Sequence, residues 1–130
     1  MLYTLLLHYP EMPAEQLTAE AMQQGQEAFG IFGAAAAAAG VLVSANMLQP
    51  AASATTVSLL DGALSVKKGA YATTVEQLGG VVVVDVPDLV SAISWAEQAP
   101  SVHWGTVEIR AGAVHWADGD WASSTDTSGG

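Results

Sequence analysis

Apolar residues along this chain gather into short β-branched runs and one long alanine-rich stretch, each closed by glycine, proline or aspartate. Met1 to Tyr9 is apolar and β-favouring and is bounded by Pro10 and Pro13, which predicts a first strand. Thr18 can then cap a helix whose first turn holds Glu20, a carboxylate that complements the helix dipole. Leu17, Ala21, Ala28, Phe32, Ala35 and Ala39 recur at spacings of three, four or seven and form the expected inner face, with Leu17 as a staple outside the cap. Gln23, Gln24, Gln26 and Glu27 supply the polar face, and Gly40 ends a helix of about twenty residues. The uncharged run Ala28 to Leu48 is about the length that spans a bilayer. Its alanine block, Ala34 to Ala39, contributes little to insertion, and its character changes at Gly40, so it reads as helix, cap and strand.

After the second strand, Val41 to Leu48, comes a third from Ala54 to Leu60. Asp61-Gly62 then forms a two-residue hairpin turn into a partner strand, Ala63 to Lys67. Gly69 to Gln77 reads as loop and Leu78-Gly79-Gly80 as a turn. The four valines Val81 to Val84 suit a strand buried on both faces, and Pro87-Asp88 starts a second helix with Leu89, Ala92, Ile93 and Ala96 inward. Trp104 to Arg110 is the last strand of the core. The order predicts an α+β fold, a ferredoxin-like split βαβ arrangement with an added hairpin. Residues 1–111 form the domain and 112–130 an extension, partly disordered, whose expected tail runs from Ser123 to Gly130. Within it His115-Trp116-Ala117 forms a short extra strand over a neighbouring protomer, or a pocket lid.

Composition changes this picture in one respect. The chain is 51% hydrophobic and only 12% charged, so little polar surface is available to face water. A second copy covering the open side of the sheet accounts for this, which predicts a homodimer. Three basic residues against thirteen acidic ones give a net charge of −10, which excludes a phosphate-tracking nucleic-acid surface and disfavours anionic membranes. Without cysteine there is no disulfide and no thiolate chemistry. The N-terminus lacks a basic segment before its apolar run, so no signal peptide and a cytoplasmic location are expected. The three histidines, His8, His103 and His115, show no metal-ligand spacing, and Gly25, Gly30 and Gly33 fall inside a helix and not after a strand, so neither metal nor cofactor is expected.

Tyr3 with Leu5-Leu6-Leu7, Leu48-Gln49-Pro50, Ala54-Thr55-Thr56-Val57, Glu76-Gln77-Leu78-Gly79-Gly80 and Gly105-Thr106-Val107-Glu108-Ile109-Arg110 occur in the order and spacing of the YCII-related family. Over residues 1 to about 111 the chain resembles the branch named after an Asp-Gly-Pro-Phe loop. The resemblance implies a dimeric α+β barrel, two ferredoxin-like protomers joined by their open sheet faces, with small-molecule pockets between sheet and helices. In place of the loop this chain has Lys68-Gly69-Ala70-Tyr71, followed by Thr73 and Val75 where the branch carries Glu and Lys. The His-Asp pair of wider members would fall within Leu17-Thr18-Ala19-Glu20 and at Ala99, and neither residue is there.

Any chemistry must therefore use other side chains. His8 shares a strand face with Thr4 and Leu6, opposite to Leu7 and Tyr9, and imidazole is the side chain best suited to proton transfer near neutral pH. Lys68 and Tyr71 lie in the loop that the resemblance places over the pocket, where both could stabilise an oxyanion. Glu108 and Arg110 share a face with Thr106, as a base with an anion clamp or as an ion pair. Thr4, Gln49 and His103 complete the substrate-binding candidates. The expectation is a cofactor-free enzyme using proton transfer, an isomerase, cyclase or lyase acting on an apolar or aromatic metabolite. The alternatives are a non-catalytic small-molecule binder and a cofactor-free oxygenase.

Overall fold

Tyr3, Leu5 and Leu7 alternate with Thr4, Leu6 and His8, and that alternation fixes the two faces of the sheet. The computed structural model describes residues 1–72 and 74–126. Its elements are β1 (Leu2–Pro10), α1 (Ala19–Ala38), β2 (Leu42–Met47), β3 (Thr55–Leu60), β4 (Ala63–Lys68), β5 (Glu76–Asp85), α2 (Leu89–Gln98), β6 (Thr106–Ala111), β7 (Val114–Ala117) and β8 (Asp120–Ser123). Four of the strands form one sheet in the order β2-β5-β1-β6, every pair antiparallel. β3-β4 and β7-β8 stand apart as two-stranded hairpins. Strand order and connections are those of a ferredoxin-like α+β fold with an inserted hairpin, as the sequence predicts.

Both helices cover one face only. Tyr3, Leu5, Leu7, Val82 and Val84 form a continuous core with Phe32 of α1 and with Ala92 and Ala96 of α2. The other face carries Leu2, Leu6, Val81 and Val83, all partly exposed. The valine run is thus covered on one side within a single chain, not on both. Thr18 Oγ1 accepts from the Ala21 amide and Asp88 Oδ1 from the Ser91 amide, so both helices begin where the sequence predicts. Gly40, at φ +75, closes α1 before β2 starts at Leu42. Among the described residues no helix is long and apolar enough to cross a membrane.

Several local expectations fail for identifiable reasons. On α1 the buried alanine is Ala36, while Ala35 and Ala39 are exposed. Phe32 sets the phase of the helix, and a run of identical alanines gives no signal of its own. On α2, Leu89 and Ile93 are largely exposed and only Ala92 and Ala96 are buried. Gly79-Gly80 is not a turn but lies inside β5, where the register against β1 slips between Leu7 and His8. A side chain at Gly79 would overlap the Tyr9 ring, and one at Gly80 would press on Met47 Sδ, so both glycines serve close packing. His103 and Trp104 do not open β6, because Pro100–His103 is a 3-10 turn. Ser123 belongs to β8 and Ser124–Asp126 forms a 3-10 turn with Ser124 buried, so the expected tail is ordered at its start. Residues 127–130 lie outside the described residues.

Gly105 precedes β6 and packs against the end of β1. A methyl group there would overlap the His8 carbonyl oxygen and crowd Tyr9 Cβ. Both are held by the sheet, so the backbone itself must move. Gly105→Ala is expected to lower unfolding free energy by about 2–3 kcal/mol, the upper part of the overpacking range. A urea titration that shows no fall in midpoint would contradict this packing.

Candidate functional site

The slip in β5 leaves Gly79 as the extra residue and sets Leu78 opposite His8 on the sheet face that carries no helix. Next to them the chain leaves β2 at Met47, turns through Gln49-Pro50 and the 3-10 turn Ala51–Ser53, and enters β3. Thr56 Oγ1 donates to the Gly69 carbonyl at 2.7 Å and the Gly69 amide donates to the Ala54 carbonyl at 2.6 Å, which ties the hairpin base to the following loop. Between these segments lies a cavity of about 780 Å³. Leu48, Pro50, Ala54, Ala70 and Leu78 give it an apolar wall, and its polar groups include His8, Gln49, Tyr71, Gln77, the Glu76 carboxylate and several hydroxyls. An oily hollow with a few fixed polar groups is the usual form of a small-molecule site.

His8 does not stand alone. Its Nε2 is 3.2 Å from Glu108 Oε1, and Arg110 Nη1 donates to Glu108 Oε2 at 3.3 Å. Glu108 faces Leu6 across β1 and β6, one diagonal step from His8, and Arg110 faces Thr4. The three side chains are partly exposed, at 29%, 44% and 71% for His8, Glu108 and Arg110, so the pairing contributes only about 0–1 kcal/mol to stability. Its effect is chemical. An ionised Glu108 takes the Nε2 proton as its hydrogen-bond donor, which leaves Nδ1 as the basic nitrogen of the ring. A carboxylate in that position fixes the tautomer and stabilises the imidazolium when the ring gains a proton.

The other candidates fall in different places. Gln49 and Tyr71 line the cavity with His8. Tyr71 is 92% exposed, so it borders the opening and is not clasped. Lys68 pairs with Thr55 at the base of the β3-β4 hairpin and is not among the residues of the cavity wall. Thr4 lies in mid-sheet between Val83 and Arg110. His103 is exposed in its 3-10 turn and lines none of the three cavities described here. His115 Nδ1 is 3.2 Å from Ser124 Oγ at the opposite end of the molecule. Thr73 lies outside the described residues.

Two further hollows are present. One, of about 590 Å³, is walled by Tyr9, Met12, Leu17, Leu78 and Trp104, and Gln49 and Gln77 separate it from the first. Tyr9 and Trp104 meet edge to face at 4.8 Å, and Phe29 and Trp104 do so at 6.4 Å. The other, of about 580 Å³, opens under α1 at Gly25, Gly30 and Gly33, where an added methyl group would meet nothing. Tyr9 joins both. Its hydroxyl donates to the Gly79 carbonyl at 3.1 Å, and burial, then the nearby Glu11 charge, raises its pKa above 10.0. Neither Tyr9 nor Trp104 was legible as a wall residue, because Tyr9 alternates into the core face and Trp104 sits in a turn the sequence does not announce.

A phenol whose folded pKa is raised adds stability that is complete below the unfolded pKa and is lost as pH rises through the folded one. Stability is therefore expected to fall on the alkaline side of pH 10.0. Tyr9→Phe should remove that component while costing about 1 kcal/mol at neutral pH for the lost hydrogen bond. Urea midpoints across the alkaline range measure both effects, and an equal alkaline slope in the variant would contradict the assignment.

A ferredoxin-like α+β domain with a cavity at the β1–β5 slip is thus the class that fold and site define. The YCII-related domain matches residues 1–114, and the chain belongs to that family. No curated protein matches the chain at a significant level.

Proposed function

We propose that this protein is a cofactor-free enzyme that moves a proton on a small, largely apolar or aromatic metabolite, in an isomerisation, cyclisation or elimination. The observation that carries the reading is the His8 imidazole in the wall of an apolar cavity, with the Glu108 carboxylate 3.2 Å from Nε2. Nδ1 of His8 takes a proton from carbon next to a carbonyl, or from a phenolic hydroxyl, and Glu108 stabilises the resulting imidazolium. The oxygen that gains charge accepts hydrogen bonds from the Tyr71 hydroxyl and the Gln49 amide. In an isomerisation or cyclisation the imidazolium then returns its proton to another atom of the same molecule; in an elimination it gives it to the group that departs with the electrons of its broken bond to carbon. Lys68, outside the cavity wall, has no part in this scheme.

The same reading sets a second copy over the open sheet face, where Leu2, Leu6, Val81 and Val83 remain partly exposed in one chain. A non-catalytic binder is the second reading, favoured by the exposure of Tyr71 at the cavity's opening. Incubation in D2O with a panel of enolisable ketones and phenols separates the two. Proton transfer predicts saturable deuterium uptake at the carbon next to the carbonyl, or at a ring carbon of the phenol. Panel members that bind tightly yet exchange at the buffer rate would establish the binder.

A further inference from the structure

The β3-β4 hairpin projects from the domain with its two faces sharply different. Cross-strand pairs Val57–Val66 and Leu59–Leu64 make one face aliphatic, with Thr55–Lys68 at its base, while Thr56–Lys67 and Ser58–Ser65 make the other mostly polar, with Leu60–Ala63 at the turn. Val57, Leu59, Leu64 and Val66 are 60%, 70%, 67% and 61% exposed, so among the described residues nothing covers the aliphatic face. A two-stranded hairpin of this kind is marginal in water unless its oily side is packed. The turn itself is well formed, with Asp61 at φ 51 and Gly62 at φ 80, so the hairpin has its designed register and lacks only a cover.

We propose that this hairpin is an arm that docks its Val57–Leu59–Leu64–Val66 face on a second copy of the chain. Charge points to that occupant. Two of the three basic residues, Lys67 and Lys68, lie on the arm, against one acidic residue, Asp61, so the arm carries +1. The chain totals −10, which leaves −11 for everything outside the arm. A second copy is therefore a strongly acidic surface matched to a locally cationic arm. Area points the same way. Four aliphatic side chains at roughly 100 Å² each give about 400 Å². That is half of the roughly 800 Å² that a stable interface takes from each partner, and the open sheet face can furnish the rest. The last step rests on the sheet-face pairing proposed above, whereas the charge and exposure of the arm do not. Because Thr56 and Gly69 join the arm's base to the cavity wall, docking would also steady the site.

Sedimentation velocity over the micromolar range tests the arm on the whole protein. Wild type is expected to dimerise, and Leu59→Lys with Leu64→Lys to weaken dimerisation about tenfold or more, with an unchanged circular dichroism spectrum. Lys67→Glu with Lys68→Glu, which keeps all four aliphatic side chains, should weaken it too, by less at high salt. Both arm variants retaining the wild-type dissociation constant would overturn the proposal, as would a monomeric wild type. Val83→Glu, on the sheet face, keeps the two ideas apart. If it dissociates the dimer and the arm variants do not, the sheet pairing stands and the arm fails. If only the arm variants dissociate it, the arm stands and the sheet pairing fails.

Discussion

His8→Ala is expected to slow deuterium exchange on a responsive substrate about 10²–10⁴-fold, the usual worth of a positioned acid–base group. That is roughly 3–5 kcal/mol of barrier, far more than the pairing of a partly exposed His8 contributes to folding. The variant should therefore stay folded and bind the ligand with little change, since the apolar wall is untouched. Glu108 acts through His8 as a positioning residue. Glu108→Gln keeps a hydrogen-bond acceptor for Nε2 but removes the negative charge, and should lower kcat about 10–100-fold with KM nearly constant. It should also displace the pH profile of kcat, which a purely structural role would not do. Exchange by His8→Ala at the wild-type rate would remove the catalytic reading altogether.

Leu5→Ala is expected to cost about 3 kcal/mol of unfolding free energy, with 2–5 kcal/mol as the range for such sites. Leu5 is fully buried at the centre of β1, paired with Val82 on one side and Ile109 on the other. Strands on both sides and helices above hold the walls of the vacated space apart, so it cannot close. Leu6→Ala, one residue along, points to the open face, where Leu6 is partly exposed, and should cost clearly less in a single chain. Denaturant titrations of the two variants, at concentrations low enough to hold the protein monomeric, measure the contrast. Equal losses would mean that the two faces of the sheet are not distinguished as described.

Most of the fold could be read because its signals are local. Thr18 and Asp88 cap their helices through side-chain oxygens, and Asp61-Gly62 supplies the left-handed turn that its hairpin needs. Asp118-Gly119 carries the same signature, with φ 52 and 82, and turns β7 into β8. In sequence the surrounding Gly, Ser and Asp residues resemble a solvated tail, and the sign of a hairpin is the Trp116–Trp121 pair, 5.5 Å apart across the strands. Gly79-Gly80 misled in the opposite sense. Glycine pairs usually mark turns, and only distant neighbours, the ring of Tyr9 against Gly79 and Met47 against Gly80, explain why these two lie in a strand. The site divides along the same line. His8 could be placed on the helix-free face from alternation alone, whereas its partner Glu108 is 100 residues distant and depends on the register of β6. The resemblance of its loop places Lys68 over the pocket, whereas β4 runs one residue further than the sequence predicts and ends on Lys68.

The central claim is that a ligand in the cavity meets the His8 imidazole while Glu108 holds the other nitrogen. Long-range 1H–15N spectra of the histidine rings, recorded as a binding panel member is titrated in, measure this at the atoms concerned. The account predicts a saturable change at Nδ1 of His8, with Nε2 still bonded to Glu108 and the His103 and His115 rings unmoved. Unchanged His8 resonances in a fully liganded protein would contradict it.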